Sequence, residues 1–330
     1  MIFYFRKFLI LFLCFFSVFL SSCSKKIDPD KEKKFYTAVV NGNAGAVEAF
    51  LDGEFDSDYK SSQGTYPLHW AASSGQEKVA QILISRGAKI ENRDDKECTA
   101  LHYAAFYGHF KVVKLLLKAG AQINVRGGIK TAGFFDGLPI ENTPLHWAAE
   151  RGHFRVVELL LENGAEINPL NYREYTPLHY AVENGCVAIA QFLVAKGAQV
   201  NTRGKYDQES PLHAAVRRKR LDLIELLLEK GIDVNVENKD KETPVYIASG
   251  FKEKAFLEAL LAKEADVNIA TVKGSTPLHQ AAKSGSVEIV DLLVQHGAKV
   301  SVKDLKGETP LSIAIRAKRD EIVAVLKDTL

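Results

Sequence analysis

The chain has 330 residues, 46% hydrophobic and 25% charged, which is the composition of a folded protein and excludes a disordered one. That length exceeds what a single compact core readily serves, leaving two domains or an array of repeats. The formal net charge of +2 falls to balance once Arg6 and Lys7 are set aside, so no global field draws the molecule to nucleic acid or to an anionic bilayer.

Residues 1–22 contain those two cations and no acid, and Phe8–Leu20 is a nearly unbroken apolar run. The run is shorter than the roughly 20 residues of a membrane span and suits the central stretch of a signal peptide. It closes on Leu20-Ser21-Ser22-Cys23 and gives way to Ser24-Lys25-Lys26. Small residues before a cysteine at this point resemble the lipobox of bacterial lipoprotein signal peptides. The resemblance implies that residues 1–22 are removed and that Cys23 is acylated as the first residue of the mature chain. The other reading is an ordinary secretory signal or an uncleaved anchor, with Cys23 incidental. Residues 23–32 are expected to form a short polar tether, of which Ser24–Glu32 would reach about 30 Å if extended.

From about Lys33 onward one signal recurs. It stands as Tyr66-Pro67-Leu68-His69, Thr99-Ala100-Leu101-His102, Thr143-Pro144-Leu145-His146 and Thr176-Pro177-Leu178-His179. It continues as Ser210-Pro211-Leu212-His213, Thr243-Pro244-Val245-Tyr246, Thr276-Pro277-Leu278-His279 and Thr309-Pro310-Leu311-Ser312. Successive starts lie 33, 44, 33, 34, 33, 33 and 33 residues apart. Phe35–Gly64 fits one period upstream, with Ala38, Gly42, Val47 and Phe50 in register. The Thr or Ser hydroxyl is expected to accept a hydrogen bond from an orphan N–H at a helix start. Proline then occupies the first helical position, where its missing donor costs nothing. A small pair such as Ala148-Ala149 lets layers approach, a glycine breaks the helix, and an amphipathic run such as Val156–Leu161 forms a second one.

A 33-residue period carrying T-P-L-H-x-A resembles the ankyrin repeat. The resemblance implies an all-α solenoid of about nine repeats, helix-turn-helix pairs joined by β-turn or hairpin loops, over residues 33–330. An insertion at about 126–142 separates repeats three and four. Lys219, Lys252 and Lys318 stand where other units have the inter-helix glycine, and Glu264 replaces a glycine after a second helix. Side chains in a left-handed backbone conformation carry strain, so repeats six and seven are expected to be the softest.

His69, His102, His146, His179, His213 and His279 share one repeat position, so neighbouring rings should lie about 8–10 Å apart. Zinc needs ligands about 2 Å from one centre, which such a column does not supply. In the ankyrin reading this histidine is structural, hydrogen-bonding across the turn. No phosphate-binding glycine loop, HExxH or GxSxG is present. Cys98 and Cys186 sit at unlike positions two repeats apart, too far for a disulfide. No enzymatic activity, cofactor, metal or small-molecule substrate is expected.

Ankyrin repeats generally recognise proteins through loop tips and the concave surface of the first helices, and three features stand out there. The insertion segment Arg126–Asn142 carries four glycines and the adjacent Phe134 and Phe135, which either anchor in a partner's pocket or fold back as local packing. The residues before the inter-helix glycine include Phe106-Tyr107, Glu150-Arg151 and Arg217-Arg218, and Trp70, Tyr103, Trp147 and Tyr180 run alongside as a stripe that reads mostly as packing. The run Arg217–Arg220 reads as a solvated structural surface or as a site for an acidic protein partner, with nucleic acid disfavoured because no aromatics interleave the charges. The expected partner-binding residues are thus Phe106, Tyr107, Phe134, Phe135, Arg151, Arg217 and Arg218. The expected function is a non-enzymatic protein-interaction scaffold, lipid-anchored through Cys23 at the bacterial cell envelope on its periplasmic or outer-surface face. The alternative is a soluble secreted effector or inhibitor that binds a host or competitor protein.

Overall fold

The computed structural model describes residues 28–128, 140–284 and 286–329. The leader, Cys23, Phe134 and Phe135 lie outside them. Among the described residues the chain forms eighteen α-helices in nine antiparallel pairs. The first helices of the pairs are α1 Pro29–Val40, α3 Pro67–Ser73, α5 Ala100–Phe106, α7 Pro144–Glu150, α9 Pro177–Glu183, α11 Pro211–Arg217, α13 Pro244–Ala248, α15 Pro277–Ser284 and α17 Pro310–Arg316. The second helices are α2 Ala44–Gly53, α4 Glu77–Ser85, α6 Phe110–Lys118, α8 Phe154–Glu162, α10 Val187–Ala195, α12 Leu221–Glu229, α14 Lys254–Leu261, α16 Val287–Gln295 and α18 Asp320–Asp328. Residues 29–32, read from sequence as the end of a tether, are instead the first turn of α1. Asp28 caps them by accepting from the Asp30 N–H at 3.0 Å, and Pro29 sits at the helix start.

Each pair buries one apolar face against its neighbours. Leu83, Leu116, Leu160, Leu193, Leu227, Leu260, Leu293 and Leu326 come one from each successive second helix, and all are fully buried. The small pairs Ala71-Ala72, Ala104-Ala105 and Ala148-Ala149 are equally buried and let the first helices stack closely. Along most of the array the first helices pack against each other more closely than the second helices do, which bends it with the first helices inside.

The shared histidine fastens one layer to the next. Nδ1 of His102 accepts from the Thr99 backbone N–H at 3.0 Å, so the proton resides on Nε2, which donates to the Asn142 carbonyl at 3.1 Å. His69, His146, His213 and His279 reach the carbonyls of Cys98, Tyr175, Glu242 and Glu308 in the same way, at 2.9–3.1 Å. Capping boxes form at Thr99, Thr143 and Thr176, each hydroxyl facing the N3 backbone and each histidine ring accepting the cap N–H. The Thr99, Thr143, Thr176 and Thr276 hydroxyls lie 2.8–3.0 Å from Nδ1, and this is their closest interaction. The Ser210, Thr243 and Thr309 hydroxyls also accept a backbone N–H, at 3.4, 3.2 and 3.2 Å, as expected. A second stitch runs backward: Gln76, His109 and His153 donate to the carbonyls of Val40, Ser73 and Phe106 at 2.8–2.9 Å.

Loops close the gaps between layers with a third set. Asn124, Asn168, Asn201, Asn235 and Asn268 each accept the backbone N–H of the following layer, at 2.8–2.9 Å. Lys219, Glu264 and Lys318 do adopt positive φ, at 55°, 58° and 54°. Lys252 does not. Its helix α13 ends early, at Ala248, where the N–H groups of Gly250 and Phe251 close a tight turn on the carbonyls of Ile247 and Ala248. The shortened α13 leaves repeats seven and eight with the thinnest packing between first helices.

Candidate functional site

The inner face is formed by the last residue of each first helix and its C-cap: Phe106 and Tyr107, Glu150 and Arg151, Glu183 and Asn184, Arg217 and Arg218. Equivalent positions in stacked layers form a column, so sequence neighbours far apart become a surface.

Phe106, Tyr107 and Arg151 come together. The Arg151 guanidinium lies 4.0 Å over the Phe106 ring, a cation–π arrangement. Phe106 meets Trp147 edge-on at 5.3 Å and Tyr107 at 4.9 Å. Phe106 is half-buried, whereas Tyr107 is 49% exposed. The adjacent stripe is committed to packing. Trp70 and Trp147 are buried, Trp70 Nε1 donates to Thr65 Oγ1 at 2.7 Å, and the Tyr103 hydroxyl donates to Asp94 at 2.5 Å.

Phe134 and Phe135 fall outside the described residues, but the base of their insertion is defined. The Gly127 N–H donates to the Asn142 carbonyl at 3.0 Å, and Arg126 pairs with Glu141 at 3.6 Å. A Cβ on Gly127 would lie 2.5 Å from the Glu97 carbonyl oxygen, so only glycine fits that approach. The insertion is therefore pinched at its root, and the His102 stitch to Asn142 passes across it intact.

Arg217 and Arg218 form a separate group, three layers on. Three of the four cations in the run Arg217–Arg220 are hydrogen-bonded to carboxylates in place. Arg217 Nη2 donates to Glu209 and Glu242 at 3.1 and 2.7 Å, Lys219 to Glu253 at 3.1 Å, and Arg220 to Asp222 at 2.9 Å. Arg218 approaches Glu183 only to 3.7 Å, beyond hydrogen-bond reach.

Sequence reasoning missed Arg173, Tyr175 and Asp207, which join Arg217, Arg218 and Glu183 around a cavity of about 460 Å³ between layers five and six. The available signal was the 34-residue interval, whose extra residue lies in the hairpin that carries Asp207. Asp207 Oδ2 accepts from the Tyr175 hydroxyl at 2.7 Å and from Arg173 at 2.9 Å. Burial works against its charge, yet these bonds and one from the Glu209 N–H hold its carboxyl below the usual range. Tyr175 stacks flat on His179 at 4.7 Å, and Arg173 lies 4.4 Å over Tyr175. His179 departs from its column. The carbonyls of Thr202 and Glu209 come near its ring, but neither meets Nε2 in hydrogen-bond geometry.

Glu150 is half-buried and has no ion pair or hydrogen bond among the described residues. Burial pushes its carboxyl above the usual range, Arg151 opposes this, and neighbouring Glu183 reinforces it. Among the described residues no three His, Cys, Asp or Glu side chains converge as metal ligands, and no helix is long and apolar enough to cross a membrane.

A family model for ankyrin repeats matches residues 35–127, 133–204, 201–271 and 255–329. The chain belongs to the ankyrin-repeat family. It is 37% identical over 67 residues to an ankyrin repeat-containing protein of Treponema pallidum, covering 20% of this chain and 22% of that one. It is 43% identical over 63 residues to human scaffold protein ILK, covering 18% and 14%. The chain thus spans well under half the length of these curated relatives. The crystal structure of the human ASB11 ankyrin repeat domain superposes with a TM-score of 0.61 at 25% identity, covering 70% of this chain and 98% of that one. Ankyrin repeats are protein-interaction scaffolds.

Proposed function

We propose that this chain is a non-enzymatic interaction scaffold, held at the bacterial cell envelope by lipid on Cys23, that captures a protein partner on its inner face. The observation that carries the binding reading is the patch of Phe106, Tyr107 and Arg151. A rigid aromatic pair with a guanidinium stacked on it, one ring half in solvent, is the kind of anchor that dominates protein interfaces. Arg217 and Arg218 lie further along the same face. The lipid reading rests on Leu20-Ser21-Ser22-Cys23 at the end of an apolar run. A single acyl chain anchors marginally, and the multiple chains of the lipoprotein class anchor stably.

Tyr107→Ser combined with Arg151→Ser should abolish partner capture in a pull-down from the native organism while leaving the thermal melt nearly unchanged. Undiminished capture would move the interface elsewhere. Mass spectrometry of the mature N-terminus tests the anchor. Cleavage elsewhere, or an unmodified Cys23, would replace it with a soluble secreted binder of a host or competitor protein.

A further inference from the structure

The charges on the inner face between layers four and six are unequally committed. Asp207, Glu209 and Glu242 each accept at least one hydrogen bond from an arginine, and Arg217 is shared by two of them. Asn238 Nδ2 adds bonds to Glu209 and Glu242 at 2.8 and 3.1 Å. Lys219 and Arg220 are likewise bonded to carboxylates. Two groups stand apart. Among the described residues Glu150 has no ion pair or hydrogen bond, and Arg218 donates no hydrogen bond, holding only the loose approach to Glu183. These two uncommitted charges of opposite sign flank Glu183 along the face, on layers four and six, and the Glu183–Arg218 gap opens on the cavity of about 460 Å³.

We propose that this stretch of the inner face binds an extended peptide segment of mixed charge, its basic side chain seated against Glu150 and Glu183 and its acidic side chain entering beside Arg218. The assignment rests on the scaffold reading above and specifies the partner's chemistry. Each step is electrostatically complementary. A cation beside Glu150 neutralises a half-buried carboxylate that the fold leaves alone, and it relieves repulsion between Glu150 and Glu183. Glu183 can then release Arg218, because its own charge is met by the incoming cation, and Arg218 takes the incoming carboxylate with its full fork of donors. A purely acidic segment would strand Glu183, and a purely basic one would strand Arg218. Layers spaced about 10 Å apart correspond to roughly three residues of extended chain, so the two charges should lie three to six residues apart. The other charged groups of the cavity already have partners and form its walls.

The test uses the full chain and the blocked peptide acetyl-Ala-Arg-Ser-Gly-Glu-Ala-amide, with versions in which Arg, Glu or both are replaced by Gln. Calorimetry should show the mixed-charge peptide binding about tenfold more tightly than either single replacement, the scale of one charge-assisted hydrogen bond. Glu150→Gln should weaken the mixed peptide about tenfold and abolish its advantage over the Gln-for-Arg version, while its melting temperature stays equal to wild type or rises. Arg218→Gln should do the same with respect to the peptide's Glu. Equal binding of all four peptides, or unchanged affinity in both variants, would overturn the assignment. Tightest binding of the peptide lacking Arg would identify a plain anion site and would also overturn it. If the peptides fail while partner capture still depends on Tyr107 and Arg151, only this assignment falls; loss of both dependences removes the inner face as the interface.

Discussion

Taking the protein from pH 7.5 to pH 5 protonates any histidine free in water, whose pKa is near 6.5. His102, His146 and His179 resist, because burial holds each folded ring down at about 4. Between those values the proton binds the unfolded chain in preference to the folded one. The stability these rings contribute is complete above pH 6.5 and is lost as the pH falls from 6.5 toward 4. At pH 5 the preference amounts to about 2 kcal/mol per ring. Three rings together cost about 6 kcal/mol, against a folding free energy of roughly 5–15 kcal/mol for ordinary proteins. For an array of this length the melting temperature should fall by about 10 °C. Circular dichroism melts at pH 7.5, 6.5, 5.5 and 5 measure this directly. The matched control is the triple variant His102→Gln, His146→Gln, His179→Gln, whose amides do not titrate in that range. It should start less stable and lose most of the pH slope, with a remainder from His69, His213 and His279, whose pKa values burial also lowers. Equal acid sensitivity in the triple variant and wild type would refute the reasoning, since the protons would then be taken up elsewhere.

Three further outcomes follow from the packing. Glu264→Gly should stabilise the array by about 1 kcal/mol in urea titration, because Glu264 sits at φ 58° after α14, where the equivalent residues are glycines. Leu178→Ala should cost about 2–5 kcal/mol, since the side chain is fully buried, and hydrogen exchange should quicken most in layers four to six. Cys98 should resist iodoacetamide at pH 8 in the folded protein and react on unfolding in urea, because burial pushes its thiol up to about 12.

Helix order and layer count were legible from the 33-residue period, because the caps, prolines and small pairs of the motif have local physical causes, while the structural role of the histidine column came with the ankyrin resemblance. What escaped depends on neighbours that the motif does not encode. Arg217 to Arg220 look like a basic surface in sequence, yet the counter-ions of Arg217, Lys219 and Arg220 sit 2 to 34 positions away and appear only when hairpins and helices stack. The Thr hydroxyls also donate to Nδ1 of the ring three residues on, a bond that the capping reading of the motif did not include. Lys252 escapes strain because α13 ends early in the tight turn at Gly250 and Phe251, which periodicity overlooks. The cavity beside Asp207 was announced by a single extra residue in one interval, but that number alone did not say which side chains would line it.

The thin packing between repeats seven and eight has a mechanical meaning. An array whose layers touch only their neighbours carries tension in series, so a pull on its two ends is borne in full by every junction. The junction behind the five-residue α13 offers the fewest contacts to resist it. Pulled by its two ends, the array would part there first. The layers bearing Phe106, Arg151 and Arg218 all lie on the N-terminal side of that seam, and would stay stacked after the last two repeats had separated.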